Sequence, residues 1–404
     1  MDEHKAATKS WIAALIVVLV PGLNVFVGLA ISPALPGLAT QIGSDAGGEL
    51  FAQLVMVAPA FMIASCGPFS NFLVNRWGRR NCLAVALCVF AVSGVAGMFT
   101  PNLITLVLTR LLLGAAGGFL APLGLSVAAD LPAAWRERAL GVSGAMGALG
   151  ALFALTVGGM LVDMAGWRAP LGFYLLALPL LLPVLMGLSG GKPDQADATA
   201  TGQWKGVFVL WPFFGLMILE CIGIFIVDIQ GPFLLDAAGA QNASTIGMAI
   251  AGYTITGALS GFSYGWFRGR LGELRMLIIA PILLGIGLII VSLAEEVSTL
   301  QLCFLAAGFG SGWISPALYS AVLVRSKDCN RATAMGLIYG AVYLGQFLNP
   351  IVVGSIQHFI GLRNSVLVFG IFLIGVAVVL TLVTSRSRIF VSSENDLLPT
   401  VAHK

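Results

Sequence analysis

Long apolar runs separated by short polar breaks fill this chain from end to end. Cutting at the charged and Gly/Pro/Asn-rich breaks leaves twelve segments, near 11–35, 50–73, 82–99, 103–129, 139–162, 170–188, 206–229, 244–267, 274–293, 298–324, 332–357 and 365–384. Each is about 20 residues long, the length of helix that crosses a hydrocarbon core of about 30 Å. The runs are continuously apolar rather than alternating, which predicts helices and not barrel strands, because a helix in lipid satisfies its own backbone groups. The shallowest cuts fall at Thr100-Pro101-Asn102 and at Glu295-Glu296. The first run follows a charged stub (Asp2, Glu3, His4, Lys5, Lys9), is longer than a signal peptide's apolar region and lacks a small-residue cleavage site. It reads as a retained helix. The expected fold is all-α, with twelve transmembrane helices.

Composition agrees. Apolar residues make up 58% and charged residues 10% of the chain, against about 25% charged in soluble domains, so the bilayer is the solvent for most of this surface. An even number of spans puts both termini on one side. Assigning that side to the cytoplasm places 18 of the 21 basic residues there, leaving Arg168 and Arg363 outside and Arg110 within a span. This is the positive-inside pattern of a multi-pass protein of the cytoplasmic (inner) membrane. The net charge of +3 is that topology signal in sum and not a nucleic-acid footprint. No His/Cys/Asp set has metal-ligand spacing, and no phosphate loop or nucleophile elbow is present, which argues against an enzyme, a metal or a bound cofactor. No filter-like loop suggests a channel. The extramembrane segments are too short for a folded partner-binding domain, and a monomer is expected.

The chain also repeats itself at an offset of 194 or 195 residues. Gly67, Arg76 and Gly78 recur as Gly261, Arg270 and Gly272; Gly118 and Pro122 as Gly312 and Pro316; Arg136 and Gly141 as Arg331 and Gly336; Gly166 and Arg168 as Gly361 and Arg363. The Arg matches keep their order across three separate loops of each half. Two six-helix bundles follow, residues 1–188 and 206–384, joined by a Gly/Lys/Pro/Asp/Ala/Thr linker at 189–205 and followed by a tail at 385–404. Parallel repeats of this kind place a small-molecule site near the midplane between halves that rock against each other. The row Gly144, Gly147, Gly150 is expected to let helices approach closely. Asn349-Pro350 and Ser315-Pro316 read as helix breaks, since Pro removes a backbone bond.

These features resemble the major facilitator superfamily over essentially the whole chain. The loop Asn75-Arg76-Trp77-Gly78-Arg79-Arg80 is similar to its signature G-x-L-x-D-R-x-G-R-R: Leu73, Arg76, Gly78, Arg79 and Arg80 match, whereas Asn71 and Asn75 replace the first Gly and the Asp. The resemblance makes Asn75, Arg76, Gly78, Arg79 and Arg80 a cytoplasmic gating loop, with a latch weakened by the uncharged Asn75. Arg110, Gly114 and Gly118 resemble the span-four pattern of proton-coupled members. Span five keeps Gly150, Gly158 and Gly159 of the drug-antiporter motif, but Ala154 and Leu155 replace its Gly-Pro pair. The nearest resemblance is to the twelve-span drug:proton antiporters, which implies transport driven by a proton gradient.

Charges inside spans are costly, about 2.5–3.5 kcal/mol each on insertion scales, so each marks a candidate site. Arg110, Glu220 and Asp228 qualify as proton-coupling candidates. At ~1.5 Å per residue, Asn24, Arg110 and Glu220 come to a similar depth. Asn24 precedes Pro36, and Glu220 precedes Pro232, by the same twelve residues, which makes them repeat mates on spans one and seven. The expectation is a protonatable Glu220 facing Arg110 across the cavity, or else a fixed buried pair. Asp228 reads as an interfacial or capping residue as readily as a coupling one, whereas the mates Asp163 and His358, just inside the outer ends of spans five and eleven, read as interfacial more readily than as coupling residues. Asn24, Gln53, Tyr253, Tyr319, Tyr339, Tyr343, Gln346 and Asn349 are the substrate-cavity candidates. The function that emerges is alternating-access transport of a small organic compound, by proton-coupled efflux or alternatively by uptake.

Overall fold

Twelve helical spans cross the molecule: Ser10–Ile42, Gly47–Cys66, Arg79–Phe99, Leu103–Asp130, Trp135–Ala165, Ala169–Gly187, Phe208–Ala237, Ala243–Leu271, Glu273–Leu293, Val297–Arg325, Thr333–Ile360 and Leu362–Thr384. The structure is a computed structural model that describes residues 2–43, 46–188, 207–326 and 331–386; the linker 189–205 lies outside the described residues, as does the tail beyond Arg386. The start of span one and the end of span twelve belong to one face of the bundle, the terminal face; the opposite one is the far face. The two shallow cuts are genuine ends. Asn102 caps span four by accepting from Thr105 N at 2.9 Å, and the backbone is extended at Ala294 and Glu296 ahead of span ten.

Several spans depart from the apolar runs that predicted them, and proline explains most of the differences. Span one continues through a tight turn, Ser32–Ala34, into Leu35–Ile42, and span seven through Ile226–Ile229 into Gly231–Ala237. In each, a Pro sits in the first turn of the last segment, where its missing N–H is not needed. Span two stops at Cys66 because Gly67-Pro68 interrupts it before the short helix Ser70–Trp77. Span ten breaks at Gly312-Trp313, just ahead of Ser315-Pro316. Asn349-Pro350 is not a break, contrary to expectation: Pro350 lies inside the unbroken helix Arg331–Ile360. Bilayer helices tolerate this where neighbours supply partners, and Asn349 Nδ2 bonds Ile222 O on span seven at 2.7 Å.

The repeat is visible as duplicated contacts. Gly78 and its mate Gly272 take φ of 79° and 81°, and Gly166 and Gly361 take 80° and 84°, a left-handed conformation that only glycine adopts without strain. These conserved spacings are therefore turn requirements. A Cβ on Gly114 would strike the Pro59 backbone, and one on Gly308 the Tyr253 backbone, so both partners shift by the same 194 residues. Span four thus seats on span two as span ten seats on span eight. One buried core draws almost wholly on spans one to six and the other on spans seven to twelve; Ile229 and Phe233 join the first, and Leu155 the second, where the halves meet.

On the terminal face the two halves carry ion pairs at the same place with the charges exchanged, and Glu273 of the second half pairs with Arg268 as well, at 3.5 Å. Arg79 at the start of span three pairs with Asp130 at the end of span four; their mates are Glu273 and Arg325, also paired. Arg79 additionally donates to Ser126 O at 3.2 Å. The pairs bind neighbouring spans within a half, and Asn75 and Arg76 are exposed beside them.

Gly114→Leu and Gly308→Leu should each lower the melting temperature of the detergent-purified protein, by about 1–3 kcal/mol of overpacking, whereas Gly375→Leu, where an added side chain meets open space, should not. Arg79→Glu should cost up to about 1 kcal/mol, and Asp130→Arg in that background, copying the other half's arrangement, should restore it in the same melting assay.

Candidate functional site

Spans one and seven are both discontinuous at matching positions, the usual sign of a midplane site between repeats. Ser32 Oγ donates to the carbonyl of Asp228 at 2.6 Å. These residues are 196 apart, the separation of Pro36 and Pro232, so each touches its own repeat mate. A residue can do this only on the pseudo-twofold axis, and the axis therefore passes between Ser32 and Asp228.

A cavity of about 410 Å³ opens beside this contact, within the size range of small-molecule sites. Spans one, two and five wall it on one side (Asn24, Met56, Ala60, Ile63, Gly147) and spans seven, eight, ten and eleven on the other (Ile224, Asp228, Tyr253, Ser311, Tyr343, Gln346). The walls are mainly apolar, and Asp228 is the one carboxylate among the described lining residues; none of these is Lys, Arg or His.

The polar groups are held in set orientations. Asn24 Nδ2 donates to Gly117 O on span four at 3.0 Å, which leaves Oδ1 without a partner. Since Gly117 O can only accept, the amide orientation is forced. Asp228 is 6% exposed and its Oδ1 is also unpartnered. Tyr253 donates to Ile224 O at 2.6 Å, and the hydroxyls of Tyr343 and Tyr339 lie 3.1 Å apart. On the far-face side of Asp228, Gln230 Nε2 reaches Asn349 Oδ1 at 2.8 Å and Gln53 Oε1 at 3.5 Å, a buried bridge linking spans two, seven and eleven. The cavity thus offers acceptors, one of them ionisable, in apolar surroundings.

Of the expected cavity residues, Asn24, Tyr253, Tyr343 and Gln346 line it. Gln53 and Asn349 belong instead to the bridge, through Gln230. Tyr339 reaches Tyr343 from an exposed position and Tyr319 is half-buried on span ten, and neither is among the lining residues. The expected confrontation of Arg110 with Glu220 does not occur. Arg110 turns into the first half, donating to Tyr174 Oη at 3.1 Å and Gly94 O at 3.0 Å, with its guanidinium 5.1 Å from the Tyr174 ring centroid. Glu220 is buried with Oε1 unpartnered and is not among the cavity's lining residues. A residue count along a helix carries no information on which side of the helix each residue occupies. The glycine row of span five differs for a related reason. Only Gly150 approaches another helix, Gly22 O lying 3.5 Å from an added Cβ, while Gly144 and Gly147 meet nothing within 4 Å because the halves part toward the terminal face. Ser32, Gly117, Tyr174 and Gln230 were not singled out; Gln230, a buried polar residue beside Gly231-Pro232, carried the clearest signal.

Tyr174 Oη also donates to Phe26 O at 3.2 Å, so Tyr174→Phe should destabilise the protein by about 1–3 kcal/mol, the cost of stranding a buried charged donor. In an Arg110→Leu background the same substitution should cost clearly less, which a double-mutant cycle of thermal melting reads directly.

A family model described as Major Facilitator Superfamily matches residues 17–239 and 213–399. Proteins named multidrug resistance protein MdtD, from Salmonella paratyphi B and Salmonella typhi, are 26% identical over 270 and 271 residues, 64% of this chain. The match spans 56% of the length of those relatives. Among solved structures, a D-xylose-proton symporter superposes with a TM-score of 0.75 at 18% identity, covering 92% of this chain and 97% of the other. A bacterial homolog of the human lysosomal transporter Spinster gives 0.76 at 16% identity, covering 95% and 98%. With the family model spanning nearly the whole chain and the fold shared end to end, this protein belongs to the Major Facilitator Superfamily and is a membrane transporter rather than an enzyme.

Proposed function

We propose that this transporter is a proton-coupled antiporter that exports a small amphipathic organic compound by alternating access, with both termini in the cytoplasm and Asp228 as its coupling carboxylate. The observation that carries the reading is Asp228 itself, on the axis between the halves, in the cavity wall, with an unpartnered oxygen. An ionised carboxylate left unpaired in apolar surroundings is costly. Binding either a proton or a cationic group of the substrate removes that cost, and binding one excludes the other. Exchange of one for the other is antiport. The mainly apolar walls, with Tyr253 and Tyr343 among them, suit an amphipathic ligand, and the relatives' name points to drugs. Basic residues concentrated on the terminal face support a cytoplasmic assignment for it. The proton gradient supplies the energy, and no bound organic cofactor takes part. Glu220, the other buried acid, is set apart from the cavity lining and is assigned no coupling role.

The test is transport of a cationic dye, ethidium, in proteoliposomes with an imposed pH gradient. Wild type should move ethidium against the proton flux. Asp228→Asn should abolish gradient-driven accumulation and weaken ethidium counterflow, because the neutral amide neither takes up the proton nor pairs with the dye's cation. Glu220→Gln should keep both activities. Accumulation of substrate in the direction of proton flow would replace antiport with symport uptake, and gradient-driven transport by Asp228→Asn would remove the carboxylate from the coupling step.

A further inference from the structure

The two halves touch on the far face through two polar contacts that the repeat relates to each other. At the end of span five, the Asp163 carboxylate accepts from the main-chain N–H groups of Ala243 at 2.7 Å and Ser244 at 3.0 Å, the first residues of span eight. At the end of span eleven, Gln357 Nε2 donates to Glu49 Oε2 at 2.7 Å, in the first turn of span two. Gln357 is the neighbour of His358, the repeat mate of Asp163, and Ala243 lies 194 residues after Glu49. The second contact therefore falls within one residue of the first one's place in the other half, with its chemistry changed.

The neighbouring packing is duplicated as well. An added Cβ on Gly159 of span five would lie 2.8 Å from Ser244 Cα, and one on its mate Gly354 of span eleven 2.9 Å from Leu50 Cδ1; Leu50 and Ser244 are again 194 apart. In each pair a missing side chain admits the opposing helix next to the polar contact. Toward the terminal face added Cβ atoms on Gly141, Gly144, Gly265 and Gly269 of the same two helices meet nothing within 4 Å, in contrast to the close approach at Gly159.

We propose that Asp163 with the start of span eight, and Gln357 with Glu49, are a matched pair of latches that hold the far face closed, and that opening it releases both. The pair is built to be reversible. Asp163 is exposed, so its partners exchange into water, whereas an equivalent contact at the bilayer centre would strand polar groups in hydrocarbon. The two latches also differ in strength. Asn242, at the cap position of span eight, makes no side-chain capping bond, and Asp163 from the other half supplies it. This satisfies two N–H groups that are otherwise orphaned and places a negative charge at the positive end of the helix. Gln357 and Glu49 share one bond. Asp163 is the dominant latch.

The inference rests on the alternating-access reading, and one experiment separates them. Nitroxide labels at Thr40 and Gln241, exposed far-face positions on opposite halves, report the far-face separation by double electron–electron resonance in a cysteine-free, full-length background in nanodiscs. Asp163→Ala should raise the ratio of open to closed far face about fivefold, the usual worth of a helix cap, and Gln357→Ala about threefold. The double variant should give the product, about fifteenfold. Asp163→Asn, which keeps one acceptor oxygen but loses the second and the charge, should fall between wild type and Asp163→Ala. Gly159→Leu should open the face by sterics without touching either bond, and it covers the case in which Asp163→Ala does not fold. Open populations in wild type that none of the latch substitutions changes would overturn the latches alone. A far face that stays closed in every variant, and with ethidium under a pH gradient, would overturn alternating access and the latches with it.

Discussion

A hydrocarbon surrounding that cannot hydrate polar groups is the constraint on which everything else in this protein depends. Each polar atom on a span must find a partner in the chain, face water, or wait for a ligand. Most are settled locally: Ser93 donates to Val89 O at 2.6 Å and Thr156 to Leu152 O at 2.7 Å, each one turn back along its own helix. Arg110, a full charge, donates to Tyr174 and Gly94 O, deep in one bundle. Buried side-chain atoms without a partner are spread through the molecule, Arg110 Nε and Glu220 Oε1 among them. Those of Asn24 and Asp228 are the ones that belong to the cavity lining.

Duplication supplied the backbone, and the side chains then diverged on it. Span four on span two and span ten on span eight meet through the same glycine contacts. The ion pairs at the terminal ends keep their positions with the charges exchanged. At the far face a carboxylate capping a helix is matched by an amide–carboxylate bond. Backbone approach depends on the absence of a Cβ and is unforgiving, because overlap with a neighbour's main chain cannot relax. Polar pairing needs only complementary groups within reach, so the partners can be swapped without moving the helices.

This distinction explains what could be read before the fold was known. Chain hydropathy determined the twelve spans, since length and apolarity are one-dimensional properties that the bilayer thickness selects. The repeated Gly78/Gly272 and Gly166/Gly361 pairs were legible because a positive φ is a local demand of the backbone on one residue. Spacing to Pro36 and Pro232 identified Asn24 and Glu220 as repeat mates, whereas the axis itself emerged only with the Ser32–Asp228 contact. The helix break expected at Pro350 failed because partners on other spans, invisible in a local window, decide whether a proline interrupts a helix.

The identity of the site was the part that needed three dimensions. Depth follows from counting residues at a fixed rise, and it brought Asn24, Arg110 and Glu220 to one level. Facing follows from how each helix is rotated against its neighbours, which is set by packing across the whole bundle and has no counterpart in a residue count. So the sequence by itself determined the span number, the internal repeat, the superfamily and a short set of buried charges. The tertiary structure alone decided that Arg110 turns inward to Tyr174, that Glu220 stands outside the cavity lining, and that Asp228, on the broken seventh span, is the carboxylate among the described residues lining the cavity.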